Sequence, residues 1–266
     1  MTKRMPVDDF RAVRVVLEGD DYALPGEPTP PTDLIDSAVW HSLMDLPDSV
    51  AIDTTDHFGT ELAHLQDLWD EWIDAIGDVQ DALFGPMLDA VDCFQASTLD
   101  LVHGYYRAAL ASLRAAMEVV AIGTYGALYP SDEVYIRWLS GAANLAFPAI
   151  RKSFYRKARR GHGGLFSPDG WLLTHYYELS AYAHARTGAA DASLWKSNGP
   201  ILSWSAARSV VDHTLLTYAL CHLFVVIGRS NADVPGHARL LMDADYVWAA
   251  RVKSAHDAIV SARSLT

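Results

Sequence analysis

Between Glu61 and Phe84 the chain reads ELAHLQDLWDEWIDAIGDVQDALF, with Leu62, Leu65, Leu68 or Trp69, Trp72, Ile76, Val79 and Leu83 at three- and four-residue steps. That period belongs to one face of an α-helix, because side chains three or four apart lie above one another on a helical surface. The acidic residues of the stretch fall mainly on the other side. A half-buried strand would instead alternate residue by residue, and almost no such alternation occurs beyond the first twenty residues. The spacing therefore predicts helices from about Thr55 onward, with this first one broken at Gly85-Pro86 and Pro86 in the first turn of the next.

Further helices follow from the same spacing and from stop signals. Residues 104–128, GYYRAALASLRAAMEVVAIGTYGAL, read as one alanine-rich helix ended by Pro130. Ser131 or Asp132 starts another near DEVYIRWLSGAANLAF, and Pro148 opens the next, which stops at the glycines of GHGG. SPDGWLLTHYYELSAYAHAR reads as a helix with Ser167 at the cap and Pro168 in its first turn. Asn198-Gly199-Pro200 marks a turn, and two more helices are expected over 203–228 and 243–262. The expectation is an all-α helical bundle of about eight helices.

The N-terminal part is different. FRAVRVVLE, residues 10–18, has extended character, and four prolines fall between Pro25 and Pro31, which no helix interior tolerates. Asp33 is placed to cap a short helix. The expected organisation is an irregular proline-rich arm with a short helix over 1–54 and a helical domain over 55–266.

Charge divides the chain in the same direction. The net charge is -12, yet residues 1–100 hold 22 Asp and Glu against 4 Lys and Arg, and residues 101–266 hold 11 against 17. An acidic end and a locally basic end on one molecule favour complementary protein surfaces. The basic end is concentrated in RKSFYRKARR. Arg151, Lys152, Arg156, Lys157, Arg159 and Arg160 supply six of the chain's 21 cations there, with Phe154 and Tyr155 interleaved. Such a segment suits phosphates and stacked bases. It also suits the acidic region of a protein, or simply the negative end of a helix dipole.

Cys93 and Cys221 lie far apart and show no metal-ligand spacing, so both read as small core residues in a reducing, cytoplasmic setting. The opening MTKRMPVDDF has no apolar stretch of the signal-peptide kind. LLTYALCHLFVVIG, residues 215–228, is shorter than the roughly 20 residues a membrane span needs, and no membrane association is expected. His57 and His64 are seven apart and His213 and His222 nine apart; neither pair has the spacing of a two-histidine helical site. HExxH, GxxxxGK[ST] and GxGxxG are all absent, so no metal and no cofactor is expected.

Two polar pairs stand out among apolar neighbours. Arg114 and Glu118 are four apart on the alanine-rich helix, and Ser180 and His184 are four apart in YYELSAYAHAR. Residues four apart share a helical face. Buried polar groups seek partners, so the two helices are expected to pack with these pairs in one network. A histidine also suits general-base work near neutral pH.

SLRAAMEVV, followed about 60 residues later by YYELSAYAHAR, resembles the HEPN-like helical superfamily (higher eukaryote and prokaryote nucleotide-binding domains). The resemblance is to bacterial members with an R-x-x-x-E helix and a later S-x-x-x-H helix, and it covers roughly residues 60–228. Many members are metal-independent ribonucleases of defence or toxin systems, with an arginine four to six residues before the histidine. Here those positions hold Ser180, Leu179 and Glu178. The resemblance thus implies a non-catalytic or conditionally active homodimer that binds RNA, a nucleotide or a protein partner. The alternative it implies is a ribonuclease with His184 as general base. In that alternative Arg114 steadies the phosphate, Glu118 orients Arg114, and Ser180 positions His184.

Overall fold

The computed structural model describes residues 37–77, 79–157, 165–167, 170–183, 200–229 and 236–263. Every regular element among them is helical. The chain divides between Leu43 and Met44 into two units. A single helical turn, Ser37–Trp40, lies in the first, and the π-helical turn that follows, His41–Asp45, runs across the division. The extended segment 10–18 and the prolines 25–31 lie outside the described residues.

The second unit is a helical bundle. Its helices are α1 (Leu46–Asp74), α2 (Phe84–Val102), α3 (Tyr106–Leu128), α4 (Glu133–Leu139), α5 (Phe147–Lys157), α6 (Trp171–Ala183), α7 (Trp204–Gly228), α8 (Gly236–Asp243) and α9 (Ala249–Arg263). The bundle is organised on α3. It lies along α2, α7 and α6 and touches α5. Small residues make this closeness feasible. A methyl group on Gly123 would sit 2.6 Å from the Pro86 ring, and one on Gly126 would sit 2.0 Å from Tyr135. At the turn between α2 and α3, Gly104 has φ +78° and presses on the backbone of Ile201, whose carbonyl oxygen would stand 2.5 Å from a Cβ. Only glycine takes that conformation at that distance without strain.

The core is continuous. Met87, Phe94, Leu113, Met117, Val120, Leu172, Leu179, Leu220 and Phe224 are at most 2% exposed. Burying each such side chain contributes roughly 1.5–3 kcal/mol. Two aromatic groups knit the helices: Trp72, Phe94 and Tyr218 at one place, and Phe147, Phe154, Phe166 and Phe224 at another. By length and composition α3 and α7 could each cross a membrane, but their apolar windows are 61% and 78% buried inside the bundle. Their hydropathy is that of helices central to a bundle, α7 more completely enclosed than α3.

Several boundaries differ from the sequence reading. Helix α1 begins at Leu46, with Pro47 in its first turn, bends at Phe58 and ends at Asp74 rather than running to Phe84. The reason is a distant residue. Arg229, just past α7, donates to the carbonyls of Ala75 and Ile76 and pairs with Asp81 at 2.6 Å. Gly77, at φ +82°, then turns the chain away. Val79 is 65% exposed, off the stripe its spacing suggests. Pro86 stands in the first turn of α2, as expected, and the break that precedes it comes earlier than Gly85. Helix α6 begins at Trp171, not at a Ser167 cap; the Ser167 carbonyl accepts from Gly170 N at 3.0 Å in the preceding turn. The last helix starts at Ala249, and a separate α8 precedes it. Asp132 caps α4, accepting from Val134 N and Tyr135 N, and Ser203 caps α7.

Candidate functional site

Helix α6 carries two polar faces. Tyr176 and Ser180, four apart, face α3; His175, Glu178 and Tyr182, three and four apart, form the other face, where His175 and Tyr182 meet α7.

On the first face, Glu118 of α3 accepts from Arg114 Nη2 at 2.9 Å, from Arg114 Nε at 3.2 Å and from the Tyr176 hydroxyl at 2.6 Å, all on Oε1. The Arg114 guanidinium also lies over the Tyr176 ring, 5.4 Å from its centroid. Burial opposes the arginine's charge, but the hydrogen bonds and charge of Glu118 outweigh it and hold Arg114 above its usual range. Burial raises the Tyr176 hydroxyl, and Glu118 raises it further, so it stays a donor. Tyr176 in turn stacks on Phe147 of α5, with ring centroids 4.3 Å apart. One carboxylate oxygen therefore ties α3 to α6, and the ring that reaches it ties α6 to α5.

The expected packing of the Arg114 helix on the Ser180 helix is present, but through a different residue. Ser180 is buried, and its hydroxyl donates to the Tyr176 carbonyl at 2.7 Å, within its own helix. Tyr176 makes the link that spacing assigned to Ser180 and His184. A second link comes from Arg107 Nε, which donates to the Tyr182 carbonyl at 3.4 Å. His184 lies outside the described residues.

The basic segment is only partly described. Arg151 Nη1 donates to the Phe166 carbonyl at 2.7 Å, which ties α5 to residues 165–167. Lys152 is exposed. Arg156 and Lys157 belong to α5, but their side chains, and all of Arg159 and Arg160, lie outside the described residues.

The second face of α6 holds a constellation that no sequence spacing revealed. His175 is 2% exposed, and its Nε2 lies 2.9 Å from the Thr217 hydroxyl of α7. Its Nδ1 is buried with no hydrogen-bond partner. The His213 ring stacks beside it, with centroids 5.3 Å apart, and Tyr182 meets His213 edge-on. One nitrogen from each histidine and a Glu178 carboxylate oxygen lie within 4.8 Å of one another, an arrangement able to hold a metal ion. Burial drives the His175 pKa well below its usual value, helped by His213, and lowers His213 to about 4. Burial raises that of Glu178. Near neutral pH both imidazoles are uncharged and carry a lone pair. His175 and Glu178, two of the three, sit three apart on α6. His213 comes from another helix, so the complete set appears only once α6 packs on α7.

Elsewhere, a cavity of about 420 Å³ lies against α1, α7 and α8, lined among others by Glu61, His64, Arg208, Asp212, Leu215 and Tyr246. Arg208 pairs with Glu61 at 2.7 Å on its wall. Of the two cysteines, Cys221 is fully buried. Cys93 is half-buried, and burial together with Asp89 and Asp92 pushes its thiol up to about 11. Neither is a reactive thiolate near neutral pH.

Compared with protein-family models, curated proteins and solved structures, the chain matches none.

Proposed function

We propose that the chain is a HEPN-like helical binding protein, non-catalytic or only conditionally active, that assembles with a protein partner through charge. The observation that carries this reading is how the motif residues are used. Glu118 binds Arg114 and Tyr176, and Ser180 bonds back to its own helix. Three of the four residues that a ribonuclease reading needs thus have structural partners. A carboxylate already on Arg114 competes with any phosphate brought to it.

The partner class follows from the surface. Helices α1 and α2 contain no Lys or Arg, while α1 alone carries Asp48, Asp53, Asp56, Glu61, Asp67, Asp70, Glu71 and Asp74. Such a surface repels RNA and attracts a basic protein segment. The chain itself contains one, from Arg151 to Arg160, so a second copy is the first partner to test and a homodimer the expected state. Light scattering over a range of protein concentrations at low and high salt tests this. A dimer that weakens as salt rises is expected. A monomer under all conditions that instead binds labelled RNA overturns the reading.

A further inference from the structure

We propose that His175, Glu178 and His213 form a site for one divalent transition-metal ion of the zinc type, held between α6 and α7 with a coordination position left open.

The first argument is geometric. The three ligand atoms come from two packed helices and already lie within 4.8 Å of one another. Ligands about 2.0–2.2 Å from one Zn²⁺ stand roughly 3.4 Å apart in a tetrahedral site, so changes in side-chain torsion close the gap. The second argument is the unpartnered nitrogen. A buried polar atom without a partner is destabilising and rare in folded proteins. Nδ1 of His175 is such an atom. Its ring is oriented by the other nitrogen: Nε2 meets the Thr217 hydroxyl at 2.9 Å. With Nε2–H donating to Thr217, Nδ1 holds the lone pair. That is the outer-shell arrangement by which metal-bound histidines are fixed in one tautomer.

The third argument is chemical. Two neutral imidazoles and one carboxylate match the preferences of zinc and its neighbours in the first transition row. Magnesium and calcium prefer sites made of oxygen atoms alone. The fourth is access. Glu178 lies on the exposed side of the set, so an ion can enter from solvent and the remaining position can take water or a donor atom of a ligand.

The test uses the full chain, stripped with a chelator and then dialysed against Zn²⁺, with bound metal measured by mass spectrometry. Co²⁺ in place of Zn²⁺ reports coordination geometry through its visible absorption. Wild type is expected to bind one zinc per chain and to melt at a higher temperature with zinc than without. Glu178→Gln and His213→Asn should each weaken binding at least tenfold. Thr217→Val should weaken it about 10- to 100-fold, as the loss of an outer-shell partner does. Circular dichroism checks that each variant folds, and Glu178→Gln, at an exposed position, leaves the core untouched. A wild-type chain that takes up no stoichiometric zinc overturns the proposal. So does Glu178→Gln with unchanged zinc affinity, because the ion would then lie elsewhere.

Discussion

Glu118 is bonded at once to its own helix and to another, and this defines its role. Arg114 reaches it from four residues before, and Tyr176 reaches it across 58 residues of chain. Hydrogen bonds to a charged group contribute about 1.5–3 kcal/mol when partly buried. Tyr176→Phe is therefore expected to destabilise the fold by about 1–2 kcal/mol, and Glu118→Gln by a similar amount. The double variant should lose less than the sum, with a coupling near 1 kcal/mol in urea unfolding. Additive losses would mean that the contact holds nothing together. The Arg114–Glu118 pair was legible because helical period alone brings residues four apart together. Tyr176 was not, because spacing along one helix cannot show that a tyrosine hydroxyl meets a carboxylate on another. The triad of His175, Glu178 and His213 was illegible for a related reason: two of its members share a helix and the third does not.

At the scale of elements, the sequence reading did best where a helix carries its own start and stop signals. Helix α3 was expected over 104–128 and runs Tyr106–Leu128; α7 was expected over 203–228 and runs Trp204–Gly228 behind its Ser203 cap. It did worst at the end of α1, where the stop signal is 153 residues away. There Arg229 receives the carbonyls that a longer helix would have used itself, and its ion pair with Asp81 holds the following turn. Its side chain is 18% exposed, so this contact is well shielded. Arg229→Ala leaves two carbonyls and one carboxylate short of a donor. A loss of about 3 kcal/mol is expected, read as a lower urea midpoint with unchanged slope. A midpoint within error of wild type would show that α1 ends at Asp74 without Arg229.

At the scale of the whole molecule, buried histidines set the response to acid. Burial lowers His213 to about 4, His222 to about 3 with His256 beside it, and His175 well below its usual value. In the unfolded chain all three take up protons near pH 6.5. Between that value and their folded values the unfolded state binds more protons, so stability falls as pH falls. By pH 5 His213 and His222 each remove roughly 2 kcal/mol, and His175 acts in the same direction. Asp100, Glu178 and Asp212, raised by burial, act in the opposite sense at lower pH. Melting temperatures at pH 7.5, 6 and 5 should drop stepwise, and a flat profile would contradict the burial of these rings. The all-α bundle was legible at this scale because one apolar period recurs along the chain. What the bundle does was not, because that depends on which polar groups the packed helices have already paired. We propose that the motif residues on α3 and α6 serve as structural partners rather than as ribonuclease groups. The most direct measurement is cleavage of a labelled single-stranded RNA, with chelator present, by wild type and His184→Ala. No cleavage above background by either protein is the expected result. Cleavage by wild type that His184→Ala abolishes would contradict it.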